Sequence, residues 1–285
     1  MSGRREERWV QAPDGAALYV VEIGPPEAPP LVLLHGGPAA HHDYLLPAFA
    51  TLAGKRRLIL YDQRGGGRSR TSPSVDLSYP RHVQDLGTVM DALGMTRADV
   101  AGYSFGGLWA MLFAARYPGR VDRLLLVSSI PPHHGFRPAL DRALAAGQAR
   151  PAVLAERKAL EDSGMRDAAP EEYRRRRFAL SVAGYFVDHR LAHALTPFRV
   201  QARAAEAVKQ SLGPFDFRQE LGAIAGARTL VVHGENDPLD ISFARDTAVL
   251  LGARMEAIPL CGHVPYVEAP EPFFAILGEF LGGHR

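Results

Sequence analysis

Short apolar runs alternate with amphipathic stretches through the first half of the chain. Residues 17–23 (ALYVVEI), 31–34 (LVLL), 57–61 (RLILY), 99–103 (DVAGY) and 124–128 (LLLVS) are the apolar runs. The last four show no polar alternation, so they read as strands buried on both faces, as in a parallel sheet. Between them, 81–93 (RHVQDLGTVMDAL) and 106–116 (GGLWAMLFAAR) carry helical spacing. Strands alternating with helices predict an α/β sheet with right-handed crossovers. A first strand pair, near 8–13 and 17–23, is separated by the turn signal PDG.

The pattern changes after Ile130. Residues 131–138 (PPHHGFRP) form a Pro-rich break, and from 139 to about 224 the spacing is helical with no convincing strand. Residues 228–233 (RTLVVH) again read as a buried strand, 254–258 (RMEAI) as a short one, and 271–281 as a terminal helix. The expected organisation is a mostly parallel sheet flanked by helices and interrupted by an inserted helical cap: core at 1–130 and 226–285, cap at 131–225. The RRRR run at 174–177 reads as a solvated helix face.

Composition narrows the class without choosing a chemistry. The chain has 285 residues, 47% hydrophobic and 22% charged, with a net charge of +2. That balance supports a sizeable core and gives no electrostatic case for nucleic acid or an anionic membrane. The single cysteine, Cys261, excludes an intrachain disulfide and a Cys-based metal site. The paired histidines at 41–42 and 133–134 lack the i, i+4 spacing of a helical metal site, and GGG at 65–67 lacks the Lys-Ser/Thr of a phosphate loop. No cofactor and no metal is therefore expected. The N-terminal MSGRREERWVQ has no apolar stretch behind it, so the expectation is a cytoplasmic protein. Its partner is a small-molecule or short-peptide substrate; the sequence sets no oligomeric state.

The strongest chemical signal is GYSFG at 102–106, a G-x-S-x-G placed after a strand and before a helix. A strand that turns abruptly into a helix leaves its middle residue strained and exposed, with the helix N-terminus beneath its oxygen. Ser104 is the expected nucleophile. Serine needs a base to take its proton. His263 lies in a Gly/Pro-rich loop, CGHVPYVEAPEPF at 261–273, between the last strand and the last helix. Asp237, in HGEND at 233–237 just after another strand, is the expected acid; Asp240 competes for that role, with Glu235 behind it. The order Ser104, Asp237, His263 is that of the α/β-hydrolase fold. HGGP at 35–38 follows the 31–34 strand, and the backbone N–H groups of Gly37 and Phe105 form the expected oxyanion hole. His35 orders that loop, and Asp62 and Arg64 in DQRGGGRS at 62–69 brace the surrounding loops. Cys261 reads as loop packing.

Together HGGPAAHHDYLLP at 35–47, DQRGGGRS at 62–69, GYSFGG at 102–107, GEND at 234–237 and CGHVPYVEAP at 261–270 resemble the proline iminopeptidase family of α/β-hydrolases, and within it the tricorn-interacting aminopeptidases. The resemblance covers about two thirds of the chain. It implies an α/β core, a helical cap, the triad Ser104, Asp237 and His263, and release of N-terminal residues from short peptides or amino-acid derivatives. The chain departs from the family at Ala39, where HGGPG is usual, and at Pro238, where some members carry an acid. An aminopeptidase must also hold the substrate ammonium against at least one carboxylate. Glu171 and Glu172 are the candidates, because they open the cap segment leading to Phe178, Tyr185 and Phe186, with Glu156, Glu161, Asp188 and Glu206 as further cap acids. Phe178, Val182, Tyr185 and Phe186 fall on one helix face, as a substrate wall or as cap core. A carboxylesterase, lactonase or amidase with the same triad is the alternative. A non-catalytic binding protein on this fold would have to lack a triad residue or the oxyanion loop, and all are present. Epoxide hydrolase and dehalogenase chemistry is disfavoured, since those enzymes place Asp where this chain has Ser104.

Overall fold

In a computed structural model describing residues 5–222, 224 and 228–282, eight strands form one sheet in the order β1-β2-β4-β3-β5-β6-β7-β8. These are β1 (Arg5–Gln11), β2 (Ala17–Ile23), β3 (Pro30–Leu34), β4 (Arg57–Tyr61), β5 (Ala98–Tyr103), β6 (Val121–Val127), β7 (Arg228–Gly234) and β8 (Arg254–Ile258). β1 and β2 are antiparallel, as is the β2–β4 pair, and β4, β3, β5, β6 and β7 run parallel. Their sequences explain the difference. β1 (REERWVQ) is mostly exposed and lies at one edge, where its charges discourage further strand pairing. β5 is buried along its whole length, and β3 and β4 along all but their first residue, which is what uniformly apolar runs require. Because the central strands are parallel, their carboxyl ends share one edge, where open α/β sheets place their ligand-binding loops.

The crossovers are the helices Tyr79–Ala92 and Phe105–Arg116. The second is buried on nearly every face, from Gly106 to Ala114, so it is a core helix. The helix Ile241–Leu251, which the sequence pattern did not single out, links β7 to β8, and Pro270–Gly282 ends the described chain.

Between β6 and β7 the described residues form helices and one isolated bridge, His133 to Asp216. The expected boundary at 225–226 lies outside the described residues. The chain divides into two units. The first comprises residues up to His134 with Phe198–Val232 and Ala244–Met255; the second comprises Gly135–Pro197, His233–Phe243 and the residues from Glu256 onward. The segment 198–222, which the sequence assigned to the cap, thus groups with the first unit. In the second unit, Val153, Leu160, Tyr173, Leu180 and Ala183 form their own apolar cluster. Among the described residues no helix is long and apolar enough to cross a membrane.

Candidate active site

In the first unit, Ser104 stands between the end of β5 and the helix Phe105–Arg116, with φ 52° and ψ −119°. A left-handed φ is unfavourable for a residue with a Cβ, so the surrounding structure must hold it. It does so through Ser104 N–H to Val127 O at 3.0 Å, and through Gly107 N–H and Ile130 N–H to Ser104 O at 3.0 and 3.2 Å. A side chain at Gly102 or Gly106 would collide with neighbouring backbone, so glycines two before and two after the serine let the turn close. Phe105 opens the helix, and its N–H is one of the first-turn donors that helix geometry leaves without an intrahelical acceptor.

Gly37, the other expected oxyanion donor, lies past the end of β3 with φ +64°. Its loop is fixed by buried hydrogen bonds. Gly36 N–H donates to the Tyr44 hydroxyl at 2.6 Å, and that hydroxyl donates to Gly36 O at 3.1 Å. His35 Nε2 accepts Gln63 N–H at 3.0 Å, which leaves the proton on Nδ1 to face Gly36 O at 3.0 Å. Burial pushes the His35 imidazole down to about 4, so it stays neutral and this tautomer persists. The Gln63 amide donates to His35 O at 2.6 Å and accepts Trp109 Nε1–H at 3.0 Å, tying the loop to the helix behind Ser104.

Asp62 and Arg64 are bracing residues. Asp62 accepts His42 N–H at 3.0 Å, faces His42 Nδ1 at 2.7 Å and accepts Arg68 N–H at 2.7 Å. Arg64 holds Asp85 at 2.7 Å and Asp14 and the carbonyl of Asp76 at 2.7 Å. Phe198 lies 4.8 Å from the Tyr44 ring, and Gln201 N–H donates to Ala39 O at 3.1 Å.

The acid and the base meet in the second unit. Glu235 N–H donates to Ile258 O and Asn236 N–H to Cys261 O, both at 2.9 Å, joining the loops that follow β7 and β8. Asp237 Oδ1 and Oδ2 then lie 3.0 and 2.9 Å from His263 Nδ1. Oδ1 also accepts Leu239 N–H at 2.8 Å. His233 Nε2 lies 3.4 Å from Oδ2 and 2.7 Å from Leu239 O. Burial works to raise the Asp237 carboxyl; His263 and His233 beside it, with the imidazole and Leu239 hydrogen bonds, outweigh that and hold it below the usual aspartate range. Asp240, the competing acid, instead accepts Ser242 N–H at 2.8 Å.

Tyr185 is also at the base: its ring is 5.0 Å from the His263 ring, and its carbonyl accepts His263 N–H at 2.8 Å. Phe186 is buried beside it. The single helix face expected for Phe178, Val182, Tyr185 and Phe186 does not form. The helix Pro170–Ser181 stops, Ala183–Tyr185 make one tight turn, and Phe186 is extended. There the Arg150 guanidinium donates to the carbonyls of Ala183, Phe186 and Val187, which do not carry a continuing helix.

Glu171 and Glu172 open that helix. Glu171 is 94% exposed and 3.7 Å from Arg174, and Glu172 pairs with Arg175 and Arg176 at 3.0 and 2.7 Å. Neither is the partly buried, cation-seeking carboxylate that an amine site requires. Cys261 is buried, its thiol pushed up to about 12 by burial and by Glu268 and Asp237, so it is no nucleophile at neutral pH. Sequence reasoning missed Tyr44, Gln63, His233 and Glu268. All four sit inside motifs that had been singled out: HGGPAAHHDYLLP, DQRGGGRS, HGEND and CGHVPYVEAP.

A family model described as the alpha/beta hydrolase fold matches residues 29–270. The chain belongs to this alpha/beta hydrolase family. Among its relatives, a 2-hydroxy-6-oxo-2,4-heptadienoate hydrolase from Pseudomonas putida is 27% identical over 88% of each chain. A proline iminopeptidase from Xylella fastidiosa is 35% identical, but over 40% of this chain and 36% of its own length. The crystal structure of a proline iminopeptidase-related protein from Thermus thermophilus superposes with a TM-score of 0.75 at 24% identity, covering 98% of both chains. At that identity the likeness is one of fold. The protein is thus a hydrolase of the alpha/beta fold, and the resemblance to proline iminopeptidases extends over only part of the chain.

Proposed function

We propose that the protein is a serine hydrolase that cleaves small esters or amides through an acyl-enzyme on Ser104, with His263 as base and Asp237 as its orienting acid. The observation that carries this reading is the buried Asp237–His263 pair, in a chain whose Ser104 holds a left-handed turn at a helix N-terminus. In the first step Ser104 Oγ attacks the substrate carbonyl and its proton passes to His263. The carbonyl oxygen takes up the negative charge and is stabilised by the N–H groups of Gly37 and Phe105. The bond to the leaving alcohol or amine breaks as His263 returns the proton to it. Water then attacks the acyl carbonyl, again giving its proton to His263; the bond to Ser104 Oγ breaks as His263 returns that proton to it, releasing the acid and regenerating Ser104. Throughout, Asp237 keeps the Nδ1 proton in place, so that Nε2 is the basic nitrogen.

A finer reading, a proline iminopeptidase-like aminopeptidase, is favoured by the local similarity to such enzymes and by HGGP and DQRGGGRS. The positions of Glu171 and Glu172 weigh against the amine site it needs. A fluorophosphonate probe tests the common chemistry: wild type labels at Ser104, while Ser104→Ala does not label and loses kcat by roughly 10⁴–10⁶-fold. A panel of aminoacyl arylamides, their N-acetylated forms and simple aryl esters then separates the two readings. Strong preference for the free amine supports the peptidase, and equal rates on free and acetylated forms support the esterase or amidase. Labelling away from Ser104 refutes both.

A further inference from the structure

Glu268 lies five residues beyond His263, in the short helix Pro265–Glu268. Its carboxylate takes backbone N–H groups on both sides of the base. Oε1 accepts Gly262 N–H at 3.0 Å and Val264 N–H at 3.3 Å. Oε2 accepts Val187 N–H at 2.9 Å, from a segment 81 residues earlier. That segment also supplies the Tyr185 carbonyl to His263 N–H and the Tyr185 ring to the face of the imidazole. Arg150 grips its other carbonyls. Gly262 supports the same reading from the opposite side, since a Cβ there would overlap Tyr185 O and come within 2.8 Å of Glu268 Oε1. A carboxylate suits this place because each oxygen accepts and neither donates.

We propose that Glu268 is a positioning residue for the base, clasping the backbone at 262 and 264 to that at 187 so that His263 and Tyr185 are held as one piece. The proposal rests on the reading of His263 as the general base. The peptide units flanking the imidazole fix where its Cα sits, while Asp237 fixes only its rotation. Without the clasp the Asp237 hydrogen bond can persist while Nε2 drifts. A misplacement of about 1 Å is worth up to ~10²-fold in rate.

Glu268→Gln is the informative change. An amide is nearly isosteric but places an NH2 where one of the N–H groups now finds an acceptor. Measured per fluorophosphonate-titrated site on an aryl ester, its kcat should fall about 10- to 100-fold with KM little changed. Glu268→Asp keeps both acceptor oxygens on a side chain one methylene shorter and should recover part of the loss. A kcat per titrated site equal to wild type in Glu268→Gln overturns the proposal. A wild type that neither labels nor turns over would instead sink the serine-hydrolase reading, so the two failures are distinguishable. Hydrogen exchange on the wild type decides the matter even if the variants do not fold. The amides of Gly262, Val264 and Val187 should be protected as one set, and free exchange at any of them removes the clasp.

Discussion

Replacing Asp237 by Asn tests the link between hydrogen-bond geometry and catalysis at a single atom. Both carboxylate oxygens face His263 Nδ1, Oδ1 at 3.0 Å and Oδ2 at 2.9 Å. Oδ1 also takes the Leu239 N–H, a donor that cannot change its role, and Oδ2 lies 3.4 Å from His233 Nε2. An asparagine must keep its one oxygen toward Leu239, because its NH2 there would bury two donors face to face. The NH2 therefore takes the place of Oδ2, the oxygen nearer to His263 Nδ1, and that nitrogen can accept it only by giving up its proton. The substitution thus favours the tautomer with the proton on Nε2, where the lone pair is needed to receive the Ser104 proton. The shape of the site is preserved and its base is lost, as in the serine-protease example from which the expected scale of about 10⁴-fold in kcat is taken. The assay is steady-state hydrolysis of an aryl ester, normalised to folded protein by circular dichroism, with Asp240→Asn as control. The control should stay close to wild type, because Asp240 accepts a backbone N–H at 242. A loss smaller than about tenfold in Asp237→Asn, or a larger one in Asp240→Asn, refutes the reasoning and moves the acid to Asp240.

Tyr44→Phe leaves the buried Gly36 N–H without its 2.6 Å acceptor, so chemical denaturation should show a loss of about 1–3 kcal/mol, with a lower kcat from a loosened Gly37 loop; unchanged values in both would remove Tyr44 from the oxyanion framework. Cys261 should resist alkylation in the native protein at pH 8 and react on unfolding, since burial pushes its thiol up to about 12, and rapid native labelling would contradict that burial. Activity should not respond to chelators, and a loss restored by a divalent ion would count against the proposed chemistry. Stability should carry the sign of a depressed carboxyl: the Asp237 contribution is present above the ordinary aspartate value of 3.8 and is lost as pH falls through the lower folded value. The deficit of Asp237→Asn against wild type should accordingly narrow in acid, and a deficit that widens there would reverse the assigned direction.

Much of the fold was legible in the sequence, because the central strands are buried on both faces and therefore uniformly apolar. The runs at 31–34, 57–61 and 99–103 appear as β3, β4 and β5 with ends moved by at most a residue. The elbow at Ser104 was legible from its own five residues: Gly102 answers to the backbone of Gly106 and Gly107 in the turn itself, while Gly106 answers to the backbone of Leu34 and His35. The segment around Tyr185 was not. Helical spacing of its aromatic residues predicted one face, but the backbone there is set by Arg150 and Glu268, and neither bond leaves a periodic trace. Glu171 and Glu172 show a related limit of the sequence. Two acids in a first helical turn look available until the arginines three and four residues on are seen to occupy them.

The two units are each organised around one half of the proposed chemistry. In the first, Ser104, Gly37 and Phe105 are fixed by Val127, Tyr44, Gln63 and Trp109, all residues of that unit. In the second, His263 is held by Asp237 and Tyr185, with Glu268 on the backbone at either side of it, all residues of that unit. Electrostatic catalysis depends on dipoles that are already aimed before charge develops, since reorienting them during the reaction would consume the stabilisation they give. In the proposed donor loop the buried His35, pushed down to about 4 by burial and so neutral, meets that requirement. A base held against a depressed carboxylate meets the complementary one, because Asp237 is ionised when His263 takes on its proton. In the proposed reading these two frameworks set the chemistry and not the substrate, in keeping with a fold whose relatives include both a heptadienoate hydrolase and a proline iminopeptidase.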